Sequence, residues 1–389
     1  MNTSLLRLLT LCGIISSTVA QDAACSTPDR KPGFCVEISR CKNIFSIVSS
    51  PNPNPVYDKY IRAIACTVPG ETRSVCCKPS EVVPKPTTTT TTTTTTPVVP
   101  EIRVDQENKL ALLPEECGKT TADRISNGNV TKVFDHPWMV LLQYRHKGAV
   151  IGGCGGSLIN ERYVLTAAHC IRTRSSLQLI NARLGEHTRN NAIDCNVYLD
   201  KNGNEIERDC ADEAEDYGIE SSVVHPEFNR PRRFSNDIGL IRLDRDVVTK
   251  DHIQPLCLPV TEELRTMQFK RYLVTGWGAT ENQTGSDVLL KAVVPRISNE
   301  ICQQRMVQNR LNIQLTEKQM CAGGQDLVDT CSGDSGGPLG MSSNFKGVDR
   351  FVQYGVVSAG INSCGQKSVP GIYARVVNYM DWILDNIQP

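Results

Sequence analysis

Three short motifs carry the side chains that catalysis by a serine nucleophile requires. Residues 333–337 read Gly-Asp-Ser-Gly-Gly, and the glycines allow a sharp backbone turn that exposes Ser335. His169 stands beside Cys170, and Asp237 directly precedes an apolar run. A serine hydroxyl needs a base to take its proton, a carboxylate to orient that base, and N–H donors for the oxyanion that forms. The motifs therefore predict Ser335 as nucleophile, His169 as base and Asp237 as the orienting carboxylate.

Each motif, taken alone, also has a structural interpretation. Ser335 fits an ordinary turn serine, His169 a structural core histidine, and Asp237 a cap or turn residue, a position that Asp favours. The remaining histidines lack a comparable context, and we expect surface or structural roles for them: His136, His146, His187, His225 and His252. The chemical interpretation depends on the three motifs occurring together.

The elements that must position these residues lie between about Cys117 and the C-terminus. This region is rich in short β-type runs separated by turn residues, which predicts an all-β barrel or sandwich. The runs include residues 138–142, 163–165, 238–243 and 354–357. The chain ends in apolar residues at helical spacing, which indicates a helix packed on the core. These residues are Val376, Tyr379, Met380, Ile383 and Ile387.

In its motifs and in their order, His then Asp then Ser, this region resembles the chymotrypsin/trypsin family of serine proteases over essentially its whole length. The resemblance implies an all-β fold of two six-stranded antiparallel β-barrels with a C-terminal helix. It implies a catalytic triad of His169, Asp237 and Ser335. It also implies an oxyanion hole formed by the backbone N–H groups of Gly333 and Ser335.

The resemblance further implies a specificity pocket. Asp329 stands six positions before Ser335, at the place of the pocket floor, where a carboxylate pairs with Arg or Lys of the substrate. The walls correspond to Ser358, Gly360 and Gly371, and the two glycines leave room for a long side chain. Residues 358–360 read Ser-Ala-Gly where the family usually has Ser-Trp-Gly. The missing indole is expected to weaken contacts with the substrate residues that precede the cleavage site.

An activation site is implied at residues 124–128, where Arg124 is followed by Ile-Ser-Asn-Gly instead of the more frequent Ile-Val-Gly-Gly. Cleavage after Arg124 would free the α-amino group of Ile125. In the family this amine enters the protein and pairs with the acid before the nucleophile, here Asp334, which orders the oxyanion hole and the pocket. The alternative, an exposed linker arginine at 124, is disfavoured by the position just ahead of the protease region.

The cysteines indicate an oxidising compartment. Of 17 cysteines, Cys12 lies in the N-terminal leader, and the remaining 16 can form up to eight disulfides. Thiolate metal sites fit poorly, because no CxxC spacing occurs. Six cysteines crowd into a first block of under 60 residues, which needs such cross-links because its core is small. Adjacent Cys76 and Cys77 can hardly pair with each other, so they must reach two different partners.

This first block resembles the clip domain of arthropod protease zymogens, mostly in its cysteine spacing. The clip resemblance implies the pairs Cys25–Cys76, Cys35–Cys66 and Cys41–Cys77. In the protease region, the family resemblance implies Cys154–Cys170, Cys302–Cys321, Cys331–Cys364 and Cys117–Cys257, the last of which would keep the cleaved N-terminal part attached. Cys195 and Cys210 remain, and we expect them to pair within an expanded surface loop.

The same loop suggests a structural calcium ion. Calcium prefers several oxygen ligands that combine carboxylates with backbone carbonyls. By resemblance to calcium-binding members of the family, the candidates are the side chains of Glu186 and Asp194 and the carbonyls of Thr188 and Asn191. The alternative is a solvated loop with scattered acids.

The domain organisation follows from composition. Residues 1–20 are typical of a signal peptide, because Arg7 precedes an apolar run over 8–15 that is too short for a membrane anchor. We assign 21–78 to the clip domain, 79–124 to a Thr/Pro-rich linker and activation segment, and 125–389 to the protease domain. The threonine run 87–96 fits either a spacer between two folded units or a low-complexity insert without a function. Asn129 and Asn282 lie in N-x-[ST] sequons and are candidate glycosylation sites.

Charge and resemblance together define the expected function. Lys+Arg and Asp+Glu balance at 42 each. The chain therefore has no excess of positive charge that would indicate a nucleic-acid or acidic-membrane partner. The combination of clip, linker and protease regions resembles the clip-domain proteases of haemolymph cascades. It implies a secreted zymogen with an upstream activating protease, a protein zymogen substrate (prophenoloxidase or the Toll cytokine precursor) and a serpin inhibitor. The alternatives are a catalytically inactive clip-domain adaptor, which the intact triad disfavours, and a digestive trypsin, which needs no clip domain.

Overall fold

The structure is a computed structural model. It describes residues 23–27, 31–44, 60–67, 74–83, 107–120, 130–173, 176–279, 285–324, 333–359 and 369–389. The chain divides into two compact units, Met1–Thr95 and Thr96–Pro389. Within the described residues, no helix combines the length and the apolar character needed to cross a lipid bilayer.

The first unit contains a four-stranded antiparallel sheet in the order β1-β2-β4-β3. Its strands are β1 (Ala23–Ser26), β2 (Pro32–Glu37), β3 (Ala65–Cys66) and β4 (Ser74–Cys77), with short 3-10 helices at Ile38–Arg40 and Pro79–Glu81. The described apolar core is small and includes Val36, Ile44, Ile64 and Val75. Three disulfides cross this core and stabilise a unit that buries little apolar surface.

The second unit begins with a closed antiparallel barrel in the order β11-β12-β7-β6-β5-β8. Its strands are β5 (Met139–His146), β6 (Ala149–Leu158), β7 (Tyr163–Thr166), β8 (Leu177–Leu184), β11 (Glu215–Val224) and β12 (Gly239–Leu243). A separate hairpin of β9 (Cys195–Leu199) and β10 (Glu205–Cys210) extends between β8 and β11. Aliphatic and β-branched side chains from alternate strand positions fill the barrel. Because the barrel is closed, each of its strands pairs on both sides.

A second closed antiparallel barrel follows in the order β13-β14-β15-β18-β17-β16. Its strands are β13 (Arg271–Gly276), β14 (Leu290–Ile297), β15 (Gln319–Ala322), β16 (Pro338–Phe345), β17 (Val348–Ala359) and β18 (Gly371–Arg375). A buried cluster that includes Trp138, Trp277 and Phe351 joins residues of both barrels. The predicted fold of two six-stranded antiparallel barrels is therefore confirmed.

Short helices connect the strands and end the chain. They are α1 (Glu107–Leu110), α2 (Ala168–Ile171), α3 (Glu262–Thr266), α4 (Asn299–Gln308) and α5 (Met380–Asn386). The predicted apolar stripe at the C-terminus is buried, and it packs into the core of the first barrel. Its first turn, Val376–Tyr379, is a 3-10 helix, so the α-helix begins later than the apolar spacing suggested.

Candidate active site

His169 and Asp237 meet because the elements that carry them are adjacent in the first barrel. His169 lies in α2, which follows β7, while Asp237 lies just before β12, and β7 and β12 pair with Thr166 opposite Gly239. The His169 Nδ1 atom lies 2.7 Å from Oδ2 of Asp237, and the His169 backbone N–H donates to Oδ1 at 3.0 Å. Asp237 is completely buried. This carboxylate orients the imidazole so that Nε2 is left to accept a proton.

The turn before Asp237 is held by the neighbouring Asn236. Asn236 adopts a φ of 53°, and its side-chain amide donates to the carbonyls of Glu227 and Arg230 at 3.2 and 2.8 Å. The Tyr379 hydroxyl donates to Oδ1 of Asn236 at 3.2 Å. Burial raises the pKa of Tyr379, and the nearby Asp237 carboxylate adds to this, so the hydroxyl stays a donor. The Asn236 contacts therefore fix where Asp237 points.

Ser358 supplies a further hydrogen bond to the same carboxylate. Its hydroxyl donates to Oδ2 of Asp237 at 2.6 Å, and Ser358 is buried. The sequence resemblance had assigned Ser358 only to the wall of the specificity pocket. The structure adds an orienting role, because Asp237 now accepts from the His169 backbone, the His169 ring and the Ser358 hydroxyl. No local sequence signal identifies this contact, since the two residues are 121 positions apart.

The loop that carries Ser335 packs against the segment that leads to His169. The Gly155 N–H donates to the carbonyl oxygen of Ser335 at 2.7 Å. Gly336 has a φ of 81°, and a Cβ at this position would lie 2.2 Å from Oγ1 of Thr166. Only glycine therefore fits here, for reasons of both conformation and space. The loop can then approach the His169 side of the first barrel.

A disulfide strengthens this arrangement. Cys154 precedes Gly155 on β6, and it is bonded to Cys170 beside His169, with a Cα–Cα distance of 6.0 Å. The strand that holds the Ser335 loop is thus covalently linked to the helix that holds the histidine. These contacts place the Ser335 loop beside the segment that carries His169, on the barrel that also carries Asp237.

Gly333 and Asp334 lie on the other side of the nucleophile. Gly333 has a φ of 106°, a conformation that L side chains rarely adopt. The Asp334 Oδ1 atom accepts the N–H of Gly278 at 2.8 Å, and a Cβ at Gly278 would lie 2.4 Å from the Asp334 carboxyl carbon. The Asp334 carboxylate is therefore enclosed by glycine backbone. The predicted activation residues Arg124 and Ile125 lie outside the described residues.

The predicted specificity pocket is described in part. Ser358 lies near the end of β17, and Gly371 begins β18 directly opposite Ala322 of β15. Both residues are buried. Asp329 and Gly360 lie outside the described residues, as do the candidate glycosylation sites Asn129 and Asn282.

Seven of the eight expected disulfides are present, while Cys331 and Cys364 lie outside the described residues. The bonded pairs are Cys25–Cys76, Cys35–Cys66, Cys41–Cys77, Cys117–Cys257, Cys154–Cys170, Cys195–Cys210 and Cys302–Cys321. Cys195–Cys210 closes the β9–β10 hairpin, and Cys117–Cys257 joins the segment after α1 to the second unit's core.

The candidate calcium loop follows β8 and buries two carboxylates. Glu186 and Asp194 are 6% and 7% exposed. The Asp194 carboxylate accepts backbone N–H groups from His187 and Thr188 at 3.2 and 2.9 Å, and the Asn191 side-chain amide at 3.3 Å. Burial raises the pKa of Glu186, a nearby arginine opposes this, and the charge of Asp194 raises it further. Two buried carboxylates in one loop fit a cation in charge and in donor type.

Comparison with known proteins defines the family. Residues 125–383 match the protein family described as "Trypsin". The chain belongs to the trypsin family. Residues 25–77 of this trypsin-family chain match a second description, "Regulatory CLIP domain of proteinases", so the chain also has a clip domain.

Several trypsin-family relatives are similar over nearly their whole length. "Serine protease grass" of Drosophila melanogaster is 35% identical over 393 residues, which cover 96% of this chain and 95% of the relative. "Melanization protease 1" of the same organism is 36% identical over 391 residues, which cover 96% of both chains. A crystal structure of the Drosophila Grass clip serine protease, described as belonging to the Toll pathway, matches with a TM-score of 0.63. It is 34% identical, and the match covers 94% of this chain and 97% of that one.

Proposed function

We propose that this protein is a secreted serine endopeptidase zymogen that, after cleavage behind Arg124, cuts protein zymogens after Arg or Lys. The observation that carries the proposal is the 2.7 Å contact between His169 Nδ1 and the buried Asp237, with the Ser335 loop packed against the same side of the first barrel. An inactive adaptor would not need this arrangement.

The chemistry follows from the roles of these side chains. His169 Nε2 takes the proton of the Ser335 hydroxyl as Oγ attacks the carbonyl carbon of the substrate. The N–H groups of Gly333 and Ser335 stabilise the oxyanion that forms. The imidazolium then gives its proton to the leaving amine, which releases the first product and leaves an acyl group on Ser335. A water molecule, deprotonated by His169, hydrolyses this ester and restores the enzyme.

Substrate selectivity is assigned to Asp329. A carboxylate at the pocket floor would pair with a guanidinium or ammonium group, and Gly360 and Gly371 would leave room for its long side chain. Activation is assigned to Arg124, Ile125 and Asp334. The amine freed at Ile125 would pair with the Asp334 carboxylate next to Gly333, which would hold the oxyanion hole in its working geometry.

The biological setting is inferred from the relatives and from the leader. Melanization and the Toll pathway appear in the names of two similar proteins, so a proteolytic cascade in haemolymph is the proposed setting. The partners would be an upstream protease, prophenoloxidase or a Toll cytokine precursor as substrate, and a serpin. The signal peptide predicted from the sequence and the disulfides support secretion.

We also propose that the loop after β8 binds a structural calcium ion. The carboxylates of Glu186 and Asp194 and the carbonyls of Thr188 and Asn191 would hold it. Bound calcium would supply positive charge to two buried carboxylates and stabilise the loop. The burial and mutual repulsion of Glu186 and Asp194 support this proposal.

The decisive test is turnover by the cleaved chain. The zymogen is cleaved with immobilised trypsin, which is then removed, and the product is assayed on an Arg-p-nitroanilide and on casein, with Ser335→Ala as the matched control. We expect turnover of the Arg substrate, little degradation of casein, and no activity in the control. Absence of turnover in the cleaved wild type would support the adaptor, and rapid casein degradation would support a digestive trypsin.

A further inference from the structure

Arg189 connects the loop after β8 with the segment that follows β13. Its Nη2 atom donates to the carbonyl oxygen of Trp277 at 3.1 Å, and its guanidinium carbon lies 6.0 Å from the centre of the Trp277 ring. The backbone N–H of Arg189 donates to the carbonyl of Asp287 at 2.9 Å. Side chain and main chain of Arg189 therefore bind the same neighbouring region.

The Trp277 carbonyl that accepts from Arg189 belongs to the same peptide group as the N–H that contacts Asp334. This peptide lies between Trp277 and Gly278, and its N–H donates to Oδ1 of Asp334 at 2.8 Å. A cation at the oxygen end and an anion at the hydrogen end polarise the peptide in the same direction. Each hydrogen bond therefore strengthens the other.

The surroundings keep this peptide in one orientation. The Trp277 indole N–H donates to the carbonyl of His187 at 3.0 Å, two residues before Arg189. The Ser286 N–H also donates to the Trp277 carbonyl, at 3.2 Å. The ring and the carbonyl of Trp277 are thus both held by the loop after β8. The Asp334 carboxylate is held in turn, because Gly278 leaves no space between its backbone and that carboxylate.

The charge of Arg189 is well placed for this contact. Burial lowers the pKa of Arg189, and the carboxylates of Asp287, Glu186 and Asp334 act against that effect. Arg189 is half-buried, so its attraction to Asp334 is screened less than that of an exposed pair.

We propose that Arg189 is a positioning residue for peptide hydrolysis. Through the Trp277–Gly278 peptide it holds the Asp334 carboxylate, and thereby the Gly333 and Ser335 N–H groups, in the geometry that the oxyanion requires. This inference rests on the proposed function, in which Asp334 also receives the amine of Ile125. Arg189 and Ile125 then act on the same carboxylate from two different segments of the chain.

The experiment compares Arg189→Ala and Arg189→Lys with wild type after cleavage by immobilised trypsin. The matched control is Arg208→Ala, since Arg208 lies on the exposed strand β10 and pairs with Glu205 at 2.6 Å. The assay measures kcat and KM on an Arg-p-nitroanilide between neutral and alkaline pH. We expect Arg189→Ala to lower kcat/KM about tenfold to a hundredfold, as for loss of one charged hydrogen bond.

Two further results separate positioning from a general structural effect. In Arg189→Ala the midpoint of alkaline inactivation moves to lower pH, because a less ordered Asp334 holds the Ile125 amine less tightly. In Arg189→Lys, kcat/KM and the midpoint of alkaline inactivation lie between those of Arg189→Ala and wild type, since Lys restores a charged donor. The thermal midpoint of the uncleaved chain checks that each variant folds. Arg208→Ala keeps the wild-type values.

Wild-type kcat/KM and an unchanged alkaline midpoint in a folded Arg189→Ala would overturn the inference. If that variant does not fold, Arg189→Gln replaces it, because Gln keeps an N–H donor without the charge. Equal kcat/KM and equal alkaline midpoints for the Gln and Lys variants would then overturn the inference, whereas a higher kcat/KM and midpoint for Lys would support it. A cleaved wild type without activity would overturn the proposed function itself, and the inference with it.

Discussion

The hydroxyl of Ser358 donates a 2.6 Å hydrogen bond to Oδ2 of Asp237, the oxygen that also contacts the His169 ring. Ser358 lies on β17 of the second barrel, while Asp237 precedes β12 of the first. The orientation of the His169 imidazole therefore depends on both barrels. A change in their packing is expected to reach the predicted triad through this contact.

Ser358→Ala tests that relationship. Removal of a donor to a buried carboxylate costs about 1.5–3 kcal/mol, and two other donors to Asp237 remain. We expect a decrease of about tenfold in kcat on an Arg ester with nearly unchanged KM. The control is Ser343→Ala, another buried serine, whose hydroxyl contacts Tyr354 instead of the triad. A wild-type kcat in Ser358→Ala would contradict the orienting role.

Burial of His136 is expected to make the stability of the second unit depend on pH. Burial lowers the pKa of His136 to about 3, which Asp135 opposes and Lys291 and His187 reinforce. The unfolded chain takes up this proton near pH 6.5, whereas the folded chain does not. The contribution of His136 to stability is therefore complete above pH 6.5 and is lost as pH falls from there towards 3, by about 1.4 kcal/mol per pH unit.

Unfolding by denaturant at several pH values between 7 and about 5 measures this slope. His136→Phe, which keeps a ring against Trp138 and Phe351, should weaken the pH dependence of the free energy of unfolding. The same change at His146, a half-buried residue at the end of β5, serves as the control. Parallel slopes for wild type and His136→Phe would show that His136 is not the source.

Asp329→Ser tests the specificity assignment. Truncation of one partner of a desolvated ion pair typically costs about 2–5 kcal/mol, so kcat/KM on Arg and Lys substrates should fall by orders of magnitude. The triad is untouched, so acylation of Ser335 by an active-site reagent should remain. Asp349→Ser, at an exposed acid, is the control. An unchanged kcat/KM on an Arg substrate would refute the position of the pocket floor.

Arg124→Gln tests the activation mechanism. The variant should resist trypsin at this bond and remain nearly inactive on an Arg ester, because Asp334 receives no new amine. In the cleaved wild type, pairing with Asp334 would raise the pKa of the Ile125 amine above its reference of about 7.7–8.0. The paired, active form is then favoured at pH values below the reference pKa of the amine. Activity is lost reversibly as pH rises through the raised pKa of the paired amine. Full activity of uncleaved Arg124→Gln would exclude the mechanism.

Calcium should raise the thermal midpoint of the second unit, since a ligand that binds only the folded chain stabilises it by mass action. Asp194→Asn should abolish the difference between millimolar calcium and EDTA. The control is Asp209→Asn, at an exposed acid of the β9–β10 hairpin. Identical midpoints of the wild type in both conditions would rule out the site.

The candidate triad could be recognised in the sequence because each of its residues lies in a short motif with its own local requirements. Ser335 needs flanking glycines, His169 lies next to a disulfide cysteine, and Asp237 precedes an apolar strand. Their order along the chain then identified the family, and the family implied two barrels. The spacing of the six clip cysteines was also informative, because a block with so small a core needs disulfides to be stable.

The tertiary structure alone decided the contacts between residues far apart in sequence. Ser358 with Asp237, and Arg189 with Trp277, are separated by 121 and 88 positions. Neither pair has a local pattern, because their distance depends on barrel closure and strand register. The burial of His136 also depends on the tertiary structure, because its ring packs against Trp138 and against Phe351 of the second barrel. A sequence motif reports what one turn or strand requires, whereas these contacts exist only once both barrels have formed.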